Sequence, residues 1–167
     1  MIAFERLRSE DLPLLREWLE REHVRCWWRA SEESLAEYEA AIAGRNPSDH
    51  YLILLDGRRI GMIETYLVSD HPEWEAIVRV GPGVAGVDLL IGEPELLGRG
   101  LGPRILSLFA ETIVFARPET SACVAAVPEA NRRSWRAFEK AGFRYVRDVE
   151  EDGLPHRLMR LDRRYAP

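Results

Sequence analysis

The chain has 167 residues, 46% of them hydrophobic and 31% charged, with a formal charge of −5. A length of this order suits one domain that buries its own core without disulfides or metal, and the balance is too apolar for a disordered chain. No apolar run approaches the roughly 20 residues of a membrane helix, and a net negative field repels nucleic acid and favours cationic partners.

The amino terminus interleaves charges with apolar residues, which is not the pattern of a secretory signal. With only Cys26 and Cys123, the expectation is a cytoplasmic protein with free thiols. Both are read as packing residues, a reactive role staying open. His23, His50, His71 and His156 are scattered without metal-ligand spacing, so no metal is expected. The expected assembly is a monomer or a homodimer.

Ile2 to Leu7 alternates apolar and polar residues and reads as a strand. Leu12, Leu15, Trp18 and Leu19 then fall at helical spacing behind Ser9, an available N-cap. A second helix is signalled by Ser31, by Leu35, Tyr38 and Ile42 on one stripe, and by Gly44 where a C-terminal glycine belongs. Tyr51–Leu55 and Arg59–Val68 flank Asp56-Gly57, a tight hairpin turn that makes them antiparallel. Ser69 to Gly86 is rich in Pro, Gly and acids and reads as a loop or irregular strand edge. Ala85 to Gly92 follows as a short apolar strand holding one acid, Asp88.

After the glycines at 98–102, a helix is expected from Pro103 through Ile105, Leu106, Phe109 and Ile113. Ser121–Val127 reads as a buried strand, and Asn131 caps a helix ending at Gly142. Phe143–Val149 and Leu154–Leu161 close the chain around Asp152-Gly153. The order predicts a single α/β domain, residues 1–167, on a mixed sheet.

Gly98-Arg99-Gly100-Leu101-Gly102 is the informative stretch. Its glycines permit positive φ and close approach of a ligand, while the first N–H groups of the following helix lack helical partners. With the helix dipole, these donors suit an anion such as a pyrophosphate, and Arg99 and Arg104 add charge. The same glycines also suit a mere tight corner. The stretch is neither a Walker loop nor a dinucleotide fingerprint, since no Lys-Ser or Lys-Thr follows and the spacing is wrong.

Three segments together, Gly98–Gly102, Asn131 opening a helix, and Phe138-Glu139-Lys140-Ala141-Gly142-Phe143, resemble the GNAT superfamily of N-acetyltransferases. Gly100 and Gly102 fit the two small positions of its cofactor motif, although Leu97 stands where Gln or Arg is usual. Within the superfamily the chain is similar to aminoglycoside 6′-N-acetyltransferases, through Glu17-Trp18-Leu19, His23 with Trp27-Trp28, Ile60-Gly61 before Tyr66, and Pro82 to Asp88. The resemblance implies a mostly antiparallel central sheet flanked by helices, acetyl-coenzyme A as donor, and a cationic amino sugar as acceptor. It also implies that Asp88 lies in the acceptor site. Gly81 and Ala126 stand where the resistance enzymes place acids, and Phe138 replaces the tyrosine credited with protonating the departing thiolate.

On that basis Leu89, Leu90, Ile91, Gly98, Arg99, Gly100, Leu101, Gly102, Pro103, Arg104 and Asn131 are expected at the cofactor. His23, Trp27, Trp28, Glu64, Tyr66, Glu75 and Asp88 are expected at the acceptor. Without the resemblance, a tryptophan pair at a helix end suits core packing, His23 suits a structural role, and Glu73 and Glu75 suit solvated surface. Asp88 differs, because a carboxylate inside an apolar strand is costly unless partnered. An alkyl amine of pKa near ~10 is protonated at neutral pH and has no lone pair to attack a thioester. The expected mechanism is therefore direct transfer with Asp88 as general base and a backbone N–H near Leu89–Ile91 for the developing oxyanion. The proton donor to the thiolate stays unassigned, Tyr145 being a substitute to consider. Another amine acceptor (siderophore precursor, polyamine or peptide), and a non-catalytic acyl-coenzyme A sensor, remain alternatives.

Overall fold

A computed structural model describes residues 1–28 and 32–164. Among them, seven strands form one mixed, mostly antiparallel sheet flanked by helices, in the order β1-β2-β3-β4-β5-β7-β6. The strands are β1 (Ile2–Arg6), β2 (Ser48–Leu55), β3 (Arg58–Leu67), β4 (Val84–Ile91), β5 (Ala122–Pro128), β6 (Arg144–Glu151) and β7 (Leu154–Asp162). The helices are α1 (Leu12–Glu20), α2 (Glu22–Arg25), α3 (Glu32–Ile42), α4 (Pro72–Val78), α5 (Leu101–Phe109) and α6 (Arg132–Lys140). The chain divides into two compact units, Met1–Thr65 with Asp88–Arg99, and the described residues of Tyr66–Val87 and from Gly100 onward.

In the first unit, β1 pairs antiparallel with β2 from Ile2↔Leu55 to Arg6↔Tyr51. The turn into β3 places both Asp56 (φ 50°) and Gly57 (φ 81°) in the left-handed region, as a two-residue hairpin of this twist requires. Leu15, Trp18 and Leu19, each 1% exposed or less, turn one stripe of α1 into a core that includes Leu52, Met62 and Leu90. Burying each contributes on the order of 2 kcal/mol. Ser9 does not cap α1. It begins a short 3-10 turn, Ser9–Asp11, while the buried Asp11 carboxylate accepts the Arg8 N–H at 2.9 Å and pairs with Arg59 at 3.2 Å. Ser31, the expected cap of α3, lies outside the described residues. The exposed Cys26 is not a packing residue, whereas Cys123 is buried.

In the second unit, β4 runs parallel to β5 through Val84↔Ala122, Ala85↔Cys123 and Gly86↔Val124. β7 inserts beside β5, antiparallel from Ala122↔Asp162 to Pro128↔His156, which leaves β6 at the sheet edge with a register shift between Tyr145 and Arg147. The expected loop at 69–86 contains a helix, α4, and β4 begins at Val84. Pro72 in the first turn, with Glu73 and Glu75 behind it, supplies helix-start chemistry that the segment's polar composition masks. The Asn131 cap forms as expected, its Oδ1 accepting the Ser134 N–H at 3.2 Å, and Gly142 (φ 97°) ends α6. α5 starts at Leu101, two residues before Pro103. The proline still sits in the first turn, where its missing N–H breaks no helical bond. No described helix is long and apolar enough to cross a membrane.

Candidate active site

The stretch from Gly98 to Arg104 has the conformation its glycines allow. Gly98 (φ 75°) and Gly100 (φ 72°) are both left-handed, and Gly100 is the N-cap of α5. A Cβ at either would meet no atom within 4 Å, so the glycines serve backbone conformation and leave open space above it. Gly102 has a different reason, because a Cβ there would lie 3.3 Å from the Ala137 methyl and would press α5 off α6. Pro103 carries no N–H, so the donors presented at this helix start are the amides of Gly100, Leu101 and Gly102. Arg99 and Arg104 are exposed beside them, and Leu101 is buried.

The end of β4 is held from several sides. His23 on α2 shares a hydrogen bond between its Nε2 and the Ile91 carbonyl at 3.0 Å. Arg21 donates to the Gly92 carbonyl at 2.8 Å and pairs with Glu93 at 3.1 Å. Trp18 Nε1 donates to Glu93 Oε1 at 3.1 Å, and Arg58 reaches the same carboxylate at 3.0 Å. Burial pushes the Glu93 carboxyl up, but hydrogen bonds from Trp18 and Arg21 and the charges of Arg21 and Arg58 outweigh it and hold it below the usual range. Trp27 is exposed, and Trp28 is partly buried against the first unit's core.

Four polar side chains gather in this first unit, from α3, β2, β3 and β4: Tyr38, His50, Glu64 and Asp88. His50, buried, places Nε2 2.5 Å from Glu64 Oε2 and stands edge-on to the Tyr38 ring, with centroids 5.0 Å apart. The Tyr38 phenol is pushed far above its usual range, first by burial and then by the negative charges of Glu64 and Asp88. Asp88 is half-buried and makes an interaction of its own. Along β4, Val87 and Leu90 are buried while Leu89 and Ile91 are half-buried.

In the second unit, the Tyr66 ring lies against Gly86, where a Cβ would fall 2.3 Å from the ring, and meets His71 edge-on at 4.9 Å. Glu75 is not merely solvated. Its Oε1 accepts the Gly81 N–H at 3.0 Å, and with Ser69, Pro72, Ala76, Gly81 and Pro82 it lines a cavity of about 480 Å³. Phe138 is buried against Phe143 with centroids 5.0 Å apart, and Tyr145, on the edge strand, donates its hydroxyl to Asp148 at 3.1 Å.

Residues 8–151 match the model of the acetyltransferase (GNAT) domain family. The chain belongs to the GNAT acetyltransferases. Aminoglycoside N(6′)-acetyltransferase type 1 of Klebsiella pneumoniae is 33% identical over 147 residues, spanning 83% of this chain and 72% of that protein. The same enzyme of Serratia marcescens matches equally. Among solved structures, aminoglycoside acetyltransferase AAC(6′)-Ib in complex with coenzyme A superposes with a TM-score of 0.86 at 27% identity, covering 98% of this chain and 95% of that one. The same enzyme with coenzyme A and kanamycin gives 0.85 over the same shares.

In this acetyltransferase, then, Glu64 and Asp88 come together about Tyr38, and His23 meets the end of β4. Sequence reasoning passed over His50 and gave Tyr38 only a place on a helix stripe. Their partnership with Glu64 joins α3, β2 and β3, which no spacing along the chain encodes. The one available signal was a histidine opening an otherwise apolar run, His50 before Tyr51–Leu55.

Proposed function

We propose that this chain, acting as one acetyltransferase domain, transfers the acetyl group of acetyl-coenzyme A to the 6′-amino group of an aminoglycoside in a ternary complex. What carries the reading is the combination of a 33% identity to aminoglycoside 6′-acetyltransferases with a cluster of two carboxylates, Glu64 and Asp88, around one phenol. A polycationic amine finds there the negative charge that a neutral amine would not need.

The residues present fit the donor. Three unpartnered amides at Gly100–Gly102, open space over Gly98 and Gly100, and the side chains of Arg99 and Arg104 suit a pyrophosphate. Asn131 spends its side-chain oxygen on capping α6, which leaves its amide N–H groups for the cofactor. Acetyl-coenzyme A supplies the activated acetyl group as a thioester. Amides of Leu89–Ile91 donate toward the thioester oxygen, and His23, by occupying the Ile91 carbonyl, steadies that segment. Asp88 accepts the ammonium proton directly or through one water. Trp27 offers an exposed aromatic face to the acceptor. Trp28 supports Trp27 from the core. Phe138 has no proton to give and the Tyr145 hydroxyl is engaged by Asp148, so the thiolate leaves without an acid from either residue. A thiol of pKa near ~8.5 is a tolerable leaving group unaided.

Mass spectrometry of kanamycin and ribostamycin incubated with the protein and acetyl-coenzyme A tests this, with one added acetyl group at the 6′ nitrogen expected. Turnover of some other amine, with every aminoglycoside unchanged, would reassign the acceptor. Coenzyme A binding with no amine turned over would make the chain a sensor.

A further inference from the structure

His50 is the least expected member of the cluster. It is 7% exposed, its Nε2 sits 2.5 Å from Glu64 Oε2, and its ring packs edge-on against Tyr38. Its Nδ1 is buried with no partner among the described residues. A hydrogen bond from Nε2 orients the Glu64 carboxylate.

We propose that His50 is a positioning residue for acceptor recognition: it fixes one oxygen of Glu64 so that the other receives a second ammonium group of an acceptor whose reacting amine goes to Asp88. The inference rests on the amine-acetyltransferase reading above and sharpens it to acceptors carrying at least two cationic groups. Glu64 retains 18% side-chain exposure, enough to be reached, while His50 behind it is closed off.

Calorimetry of the coenzyme A-saturated protein with kanamycin is the test. His50→Phe keeps a ring against Tyr38 and removes the donor; the kanamycin Kd rises about tenfold, while the coenzyme A Kd is unchanged. His50→Gln, which can return an N–H to the Nε2 position, recovers most of the loss. His50→Asn withdraws the donor in a smaller side chain and gives an independent second measurement with the same expected weakening. In turnover, His50→Phe raises KM for kanamycin with kcat nearly unaltered, and leaves kcat/KM for the monoamine 6-amino-6-deoxyglucose within about twofold. A purely structural role would depress both acceptors alike, and that outcome overturns the proposal. So does His50→Phe binding kanamycin as tightly as the unaltered chain. An unaltered chain that binds no kanamycin overturns both this inference and the aminoglycoside reading.

Discussion

The indole of Trp18 lies flat on Gly92. A Cβ at that glycine would fall 2.2 Å from the ring, closer than any two non-bonded carbons can sit. Trp18 is fully buried and its Nε1 is tied to Glu93, so the ring has nowhere to retreat. Gly92→Ala therefore destabilises the protein by about 2–4 kcal/mol, seen as a lowered midpoint in thermal or denaturant unfolding. A midpoint within experimental error of the unaltered protein would show that β4 can shift to make room.

Glu93 gives the acid limb of stability a recognisable source. Its carboxyl is held below the ordinary range, so its contribution is fully present above the unfolded-state pKa near ~4.3 and is lost as pH falls through the lower folded value. Glu93→Gln should lower stability at neutral pH and flatten its decline below about pH 4.3. Urea titrations at a series of acidic pH values read both effects, and parallel curves for the two proteins would contradict the assignment.

At Gly100 the obstacle is conformation. Valine at φ 72° is strained and would project into the space over the helix start. Gly100→Val should raise the acetyl-coenzyme A KM at least about tenfold while circular dichroism stays near that of the unaltered chain. Unchanged coenzyme A affinity in calorimetry would place the cofactor elsewhere.

Asp88→Asn keeps the shape of the side chain and removes the base. kcat is expected to fall by roughly 10²–10⁴-fold with coenzyme A affinity retained. Near-normal turnover at saturating acceptor would take Asp88 out of the proton path and make Glu64 or Glu75 the next bases to test.

Local chemistry was legible in the sequence wherever a residue type answers one backbone demand. Asp56-Gly57 and Asp152-Gly153 are left-handed at both positions, Asn131 caps, and Gly142 terminates. The sequence places the start of α5 at Pro103, two residues late, because proline is favoured at the first helical position yet costs nothing anywhere in the first turn. α4 gives little signal because seven residues are barely two turns, too short for Trp74, Ile77 and Val78 to establish a period among the surrounding prolines, glycines and acids.

What the chain could not announce is pairing over distance. The insertion of β7 between β5 and β6 is decided by which strands bury the most apolar surface together, and only the folded sheet reveals it. The candidate site divides the same way. Asp88 stands out as an acid in an apolar strand, whereas the tie between His50 and Glu64 is visible only once β2 and β3 are side by side.

The placement of β6 at the sheet edge bears on how the protein behaves in crowded solution. An edge strand offers unpaired N–H and C=O groups to any extended chain that drifts past, and a long flat edge seeds aggregation. Here Arg144, Arg147, Asp148 and Glu150 are exposed along the strand, and its register slips between Tyr145 and Arg147. An incoming strand would have to desolvate charges of both signs and match a broken ladder. β6 is thus a stop, ending the sheet at a surface that resists recruitment into fibrils.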